Sequence, residues 1–102
     1  MEKTPNSEYI PTKEEITRRL KEHGMTEETL TMIVKWTKQR EREIKTTRDS
    51  IILNIERIDF YEAMEDFPGA EQCISEAYEH AYREGEFDLC GSLQARYAWL
   101  GI

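Results

Sequence analysis

The longest uninterrupted helical pattern of this sequence covers residues 27–66, where neither proline nor glycine occurs. Within it, residues spaced seven apart and mostly apolar keep one stripe along one side of a helix. The repeat consists of Leu30, Thr37, Ile44, Ile51 and Ile58. We therefore predict one long or kinked helix over this range. The alternative is a break and a second helix, because Thr46 and Asp49 have the spacing of a capping box in which Asp replaces Glu.

The segment from Ile51 to Met64 is apolar on most of its faces rather than along one stripe. Its apolar residues are Ile51, Ile52, Leu53, Ile55, Ile58, Phe60, Tyr61 and Met64. A helix that is apolar on most faces is buried on most faces. We therefore predict that this segment is the central element of the core and that the other helices pack against it.

Shorter helices are predicted on the amino-terminal side of this segment. Thr12 is a suitable N-cap for a helix over residues 13–23, and Gly24 fits the left-handed position that ends it. Thr26 is a suitable N-cap for the next helix, which acidic residues in its first turn also favour.

A helical hairpin is predicted on the carboxyl-terminal side. The Phe-Pro-Gly sequence at 67–69 ends the core helix, and small and aromatic residues at helical spacing indicate a helix over 70–84. Gly85 supplies the stop, and Asp88 is the predicted cap of a last helix through residue 100. The turn region 81–90 also resembles the turn of a tetratricopeptide hairpin, although no 34-residue repeat is present. That resemblance implies hairpin geometry alone.

The length and composition fit one small all-α domain of four to five helices. With 102 residues, 38% of them hydrophobic, the chain can bury a modest core. We predict a flexible N-terminal arm over residues 1–11, a single helical domain over 12–102, and more than about 60% helix. The absence of a signal-like start or an apolar run of about 20 residues, together with only two cysteines, favours a cytoplasmic protein.

Charge is distributed unevenly along the chain. The net charge is −7, but residues 1–50 carry 11 basic and 10 acidic side chains, whereas residues 51–102 carry 3 and 11. An asymmetry of this kind bears on partners and solubility rather than on the fold.

Four basic residues form a ridge on the predicted long helix and are the predicted partner-binding residues. Lys35, Lys38, Arg42 and Lys45 advance by three, four and three residues, so they fall within about 80° of one another around the helix. Three interpretations stay open: a protein contact, including one with the acidic half of another copy; a solvated face; and binding of a phosphate backbone. The apolar stripe of this region is too narrow for a core, which favours a homo-oligomer.

Candidates for chemistry are few. Cys73 and His80 are two helical turns apart, about 10 Å of rise, which is too far for both to reach one ion. No glycine-rich phosphate loop or nucleophile motif is present. We predict no enzymatic activity, no cofactor and no metal.

The sequence therefore predicts a non-enzymatic interaction or regulatory protein that acts through charged helical faces and self-associates. The alternatives are a regulator that binds nucleic acid through the ridge and an inhibitor whose acidic half imitates nucleic acid.

Overall fold

The computed structural model describes residues 9–100, which form five helices and contain no strand. The helices are α1 (Lys13–His23), α2 (Glu27–Arg42), α3 (Thr47–Ala63), α4 (Phe67–Arg83) and α5 (Phe87–Trp99). Helices account for 80% of the described residues, so the predictions of an all-α fold and of high helical content are confirmed. Most of the predicted arm, residues 1–8, lies outside the described residues; Pro11 is buried.

Helix α1 begins and ends where the sequence predicts, and helix α2 begins where it predicts. The side chain of Thr12 accepts a hydrogen bond from the Glu15 amide, and the Glu15 carboxylate accepts one from the Thr12 amide, which completes a capping box. Gly24 ends α1 with a φ of 71°, a left-handed value that glycine adopts without strain. The Thr26 side chain caps α2 in the same way as Thr12 caps α1.

The predicted long helix is wrong, because the chain breaks at residues 43–46. Thr46 accepts a hydrogen bond from the Asp49 amide at 3.1 Å, and Asp49 accepts bonds from the amides of Lys45 and Thr46 at 3.0 and 3.2 Å. This capping box satisfies the amides that a new helix leaves without partners and so favours a restart over continuation. The hydrogen bonds from the Lys45 and Thr46 amides also hold the pKa of Asp49 below its ordinary value.

Two predicted helix starts in the carboxyl-terminal half need correction. Helix α4 begins at Phe67 rather than at residue 70, because Asp66 caps it and Pro68 lies in the first turn, where no amide donor is needed. Helix α5 begins at Phe87, so Asp88 is a residue of its first turn and not its cap. Nonetheless α4 and α5 form the predicted hairpin, with Gly85 at a φ of 75° between them.

Helix α3 is the central element of the core, as predicted. Leu53 and Phe60 pack with residues of α1 and α2 on one side, and the ring of Phe60 meets that of Trp36 edge-on at 5.1 Å. On the other side Ile58, which is fully buried, packs with Ile74 of α4 and with residues of α5. Burial on several faces explains why α3 lacks a polar stripe.

Helices α1 and α2 lie on one side of α3, and α4 and α5 lie on the other. Helix α2 packs against α1 and α3, whereas α4 packs against α3 and α5. The Cα atoms span 47 × 32 × 16 Å, and a thickness of 16 Å corresponds to about two layers of helices. In so thin a slab, the peripheral helices keep one face toward solvent.

Candidate functional site

The basic residues of the fold divide into those that pair with carboxylates and those that do not. Arg40 on α2 donates to Glu56 of α3 at 2.8 and 3.0 Å and to Glu43 at 2.6 Å. The hydrogen bonds to Glu56, more than those to Glu43, raise the pKa of Arg40. Arg40 therefore fastens α2 to the core helix and is not available to a partner.

Two further arginines fasten α5 to α3. At one end Arg48 forms a two-point contact with the Asp88 carboxylate at 2.7 and 3.0 Å and bonds Glu86 at 2.5 Å. The hydrogen bonds from Arg48 hold the pKa of Asp88 below its ordinary value. Asp88, predicted as a cap, thus acts as the partner of an arginine from another helix, a contact that spans 40 positions in sequence.

At the other end, Asp59 of α3 is shared by cations from two helices. Arg96 of α5 donates to Asp59 at 2.6 Å and to Glu62 at 2.9 Å, and Lys13 of α1 donates to Asp59 at 2.7 Å. Partial burial opposes ionisation of Asp59, but the hydrogen bonds from Lys13 and Arg96 outweigh it and lower the pKa of this carboxyl. This cluster joins three helices and is structural.

The cations of the predicted ridge differ from these arginines in their pairing with carboxylates. Lys38 and Arg42 are exposed, Lys35 is partly exposed, and none of the three forms an ion pair with a carboxylate within residues 9–100. Arg42 makes one long hydrogen bond of 3.4 Å, to the Gln39 side chain. The fourth member, Lys45, lies past the end of α2 in the break, so the ridge on the helix has three cations instead of the predicted four.

An apolar strip runs beside these cations. Leu30 and Val34 are 49% and 43% exposed, although they lie on the helix whose other face buries Thr29 and Trp36. At about 100° per residue, Val34 precedes Lys38 by 40° around the helix. The outer face of α2 therefore combines an apolar strip with a basic flank.

A groove opens on the opposite side of α3, between α4 and α5. Its volume is about 720 Å³, and it continues past Ser75, Glu76 and Tyr78 into a second depression of about 550 Å³. We call the two together the α4–α5 groove. Its lining residues are Pro68, Glu71, Gln72, Ile74, Ser75, Glu76, Tyr78, Glu79, Tyr82 and Arg83 of α4, and Leu93, Gln94 and Tyr97 of α5.

Tyrosine rings line this groove, and the ring of Phe87 packs against one of them outside it. The rings of Tyr78 and Tyr82 stack with centroids 6.3 Å apart, and Phe87 meets Tyr82 edge-on at 5.8 Å. Tyr82 and Phe87 are 60% and 63% exposed. The helical spacing of the aromatic residues in α4 fits a packed face as well as an exposed one, so the sequence does not predict this surface. The available signal was the acid pair Glu76 and Glu79 interleaved with the tyrosines.

The carboxylates of the groove give it a negative rim. The Tyr97 hydroxyl donates to Glu71 at 3.0 Å, and this hydrogen bond raises the pKa of Tyr97. Glu76 and Glu79 are exposed, and the Arg83 guanidinium is 3.9 Å from Glu79. Three carboxylates and one cation leave the groove with a net charge of −2.

The thiols and histidines do not converge. The Cys73 thiol lies 3.4 Å from the Asn54 carbonyl oxygen, and partial burial raises its pKa. Cys90 is buried, and the two cysteines are not bonded to each other. No group of three potential metal ligands occurs in the described part of the chain.

Across residues 9–100, no helix combines the length and the apolarity needed to cross a membrane.

No protein-family model, curated protein or solved structure matches this chain.

Proposed function

We propose that this protein is a non-enzymatic interaction module that binds a macromolecular partner through the outer face of α2. The observation that supports the proposal most strongly is the unequal use of its cations. Arg40, Arg48 and Arg96 each contact two carboxylates of the fold. The three ridge cations have no such partner within residues 9–100, and their charge stands beside exposed apolar side chains.

A protein partner accounts for this face better than a phosphate backbone does. Phosphate binding needs cations and polar donors along the contact, whereas Leu30 and Val34 supply apolar surface that a backbone of phosphates would not bury. The carboxylate of Glu41 is also exposed on this face. A partner with apolar side chains and carboxylates matches the apolar strip and the three cations beside it.

Affinity capture with a charge-reversed bait tests the proposal. The bait carries Lys35→Glu, Lys38→Glu and Arg42→Glu. A matched control carries Arg18→Glu, Lys21→Glu and Arg57→Glu, which changes the net charge equally at exposed cations that form no ion pair within the described residues. We expect nuclease-treated lysate to yield proteins that bind the wild type and the control but not the ridge variant. Equal capture by all three baits would contradict the proposal. Ridge-dependent retention of nucleic acid from untreated lysate, with no protein retained after nuclease treatment, would favour the phosphate-binding alternative.

A further inference from the structure

We infer that the α4–α5 groove of one molecule receives the outer face of α2 from a second copy of this chain. The inference rests on the proposed function, because it names the partner of the α2 face. It also assigns a role to the groove, which the fold does not fill with its own side chains.

The first support is complementary charge. The α2 face between Leu30 and Arg42 carries three cations and Glu41, a net charge of +2, whereas the groove has a net charge of −2. Opposite potentials on two surfaces steer association and disfavour pairing of like surfaces. An α2 face meeting another α2 face, or a groove meeting a groove, would place like charges together.

The second support is a match between the apolar parts. Leu30 and Val34 form the strip on α2, and Tyr78 and Tyr82 form the seam on α4. In both helices the apolar positions are four residues apart, one helical turn. Aromatic side chains in such a seam are typical anchors of protein interfaces, and cations over their faces gain a further attraction.

The third support is a match in length. Helix α2 rises about 18 Å between Leu30 and Arg42, and α4 rises about 17 Å between Glu71 and Tyr82, at 1.5 Å per residue. The charged flanks have similar spacing, because the pair Lys38 and Arg42 and the pair Glu76 and Glu79 each span about one helical turn. A helix of this length can lie along the whole groove, in the manner of helix-in-groove recognition.

The two surfaces cannot meet within one chain. Helix α2 packs on α3 from the side of α1, while α4 packs on α3 together with α5. The contact therefore joins different molecules. It gives a two-fold dimer if each α2 face enters the other copy's groove, or a head-to-tail series if each copy offers its α2 face to one neighbour and its groove to another. Head-to-tail contacts produce rings if the rotation closes and open chains if it does not.

Sedimentation of two variants, alone and mixed, tests the inference. The ridge-neutral variant carries Lys38→Gln and Arg42→Gln, which leave the charges of Lys35 and Glu41 to cancel, and it keeps its groove. The groove variant carries Glu76→Lys and Glu79→Lys and keeps its α2 face. A control with Glu14→Lys and Glu22→Lys makes the same charge change at exposed residues of α1. Circular dichroism establishes that each variant is folded.

We expect the wild type and the control to associate increasingly with concentration, and each of the two variants to sediment as a 12.1 kDa monomer. An equimolar mixture of the two variants should form a dimer and nothing larger. It contains one intact ridge for one intact groove, and the remaining neutral ridge has no attraction for the remaining basic groove.

Three results would overturn the inference: a mixture that stays monomeric, a groove variant that associates like the wild type, or a wild type that is monomeric at all concentrations. Capture of other proteins that depends on the α2 cations would leave the proposed function standing in each case. Failure of the proposed function has a different signature, namely capture and association that are both unaffected by the ridge substitutions.

Discussion

The arginines that link the helices and the cations on the outer face of α2 have the same charge but different surroundings. Arg96 lies between α3 and α5, 28% exposed and bonded to two carboxylates. Lys38 is exposed and has no ion-pair partner within residues 9–100. Loss of the first leaves carboxylates without their partner, whereas loss of the second leaves nothing unsatisfied. Cationic charge in one region is therefore structural, and in the other it is available for binding.

The substitution with the largest expected effect places a charge in α3, the helix against which the other helices pack. Ile58→Asp should unfold the domain, with a loss of about 4 kcal/mol or more, because Ile58 is fully buried and the new charge has no partner. Ile58→Val, the matched control, should cost about 1 kcal/mol. Urea unfolding monitored by circular dichroism measures both. Equal stability of the two variants would show that α3 is not the core helix.

Next in size is the loss of a paired arginine. Arg96→Ala should lower the free energy of unfolding by about 2 kcal/mol, because Asp59 and Glu62 lose a charged hydrogen-bond donor. Arg57, an exposed arginine on α3 with no ion pair among the described residues, is the control. Arg57→Ala should change the free energy by less than about 0.5 kcal/mol. Chemical denaturation of both variants tests whether the loss of stability depends on the ion pairs of the arginine.

The same cluster should make stability depend on pH. The folded-state pKa of Asp59 is lowered, so its contribution is present above the unfolded carboxyl pKa of about 4 and is lost as the pH falls through the folded value. Asp59→Asn cannot titrate and should lose less stability than the wild type between pH 7 and pH 3. Identical pH profiles of the two proteins would contradict this assignment.

A smaller effect is expected at the helix break. Thr46→Ala should cost about 1 kcal/mol, because the side-chain oxygen of Thr46 accepts the Asp49 amide. Thr47→Ala, at the exposed first residue of α3, should cost less. Thermal unfolding compares the two. A cost at Thr47 that matched or exceeded the cost at Thr46 would be inconsistent with the capping box.

This break shows how far the sequence could predict the fold. The caps Thr12 and Thr26 were identified because a cap is a local pattern of three or four residues. The Thr46 box has the same local form and predicts a second helix, but the seven-residue repeat predicts that one helix continues through it. Whether a repeat or a cap prevails depends on tertiary packing, here of α2 against α3, which a local pattern does not encode.

The candidate site was predicted only in part, for a similar reason. Lys35, Lys38 and Arg42 lie together as expected, because helical spacing alone fixes their relation. The α4–α5 groove was missed, because tyrosines at helical spacing fit a buried face as well as an exposed one. The partners of Arg48 and Arg96 lie 34 to 40 positions away in sequence, so their structural role required the three-dimensional arrangement.

The smallest expected effect on stability belongs to the α2 face itself. Lys38→Glu should alter the free energy of unfolding by less than about 0.5 kcal/mol, because the side chain is exposed and forms no ion pair within the described residues. Thermal unfolding of the dilute monomer measures it. A loss as large as that of Arg96→Ala would mean that the ridge is structural and would remove the distinction between the two regions.

The most direct test of that distinction is an NMR titration. It follows the amides of the groove in one chain while a second chain with an intact α2 face is added. A ¹⁵N-labelled ridge-neutral chain is mixed with an unlabelled groove variant. The account predicts amide shifts in α4 and α5, centred on Ser75 and Gln94, that saturate at one to one and weaken in 1 M salt, where charges are screened beyond about 3 Å. Unchanged amides in α4 and α5, or shifts confined to α1, would contradict it.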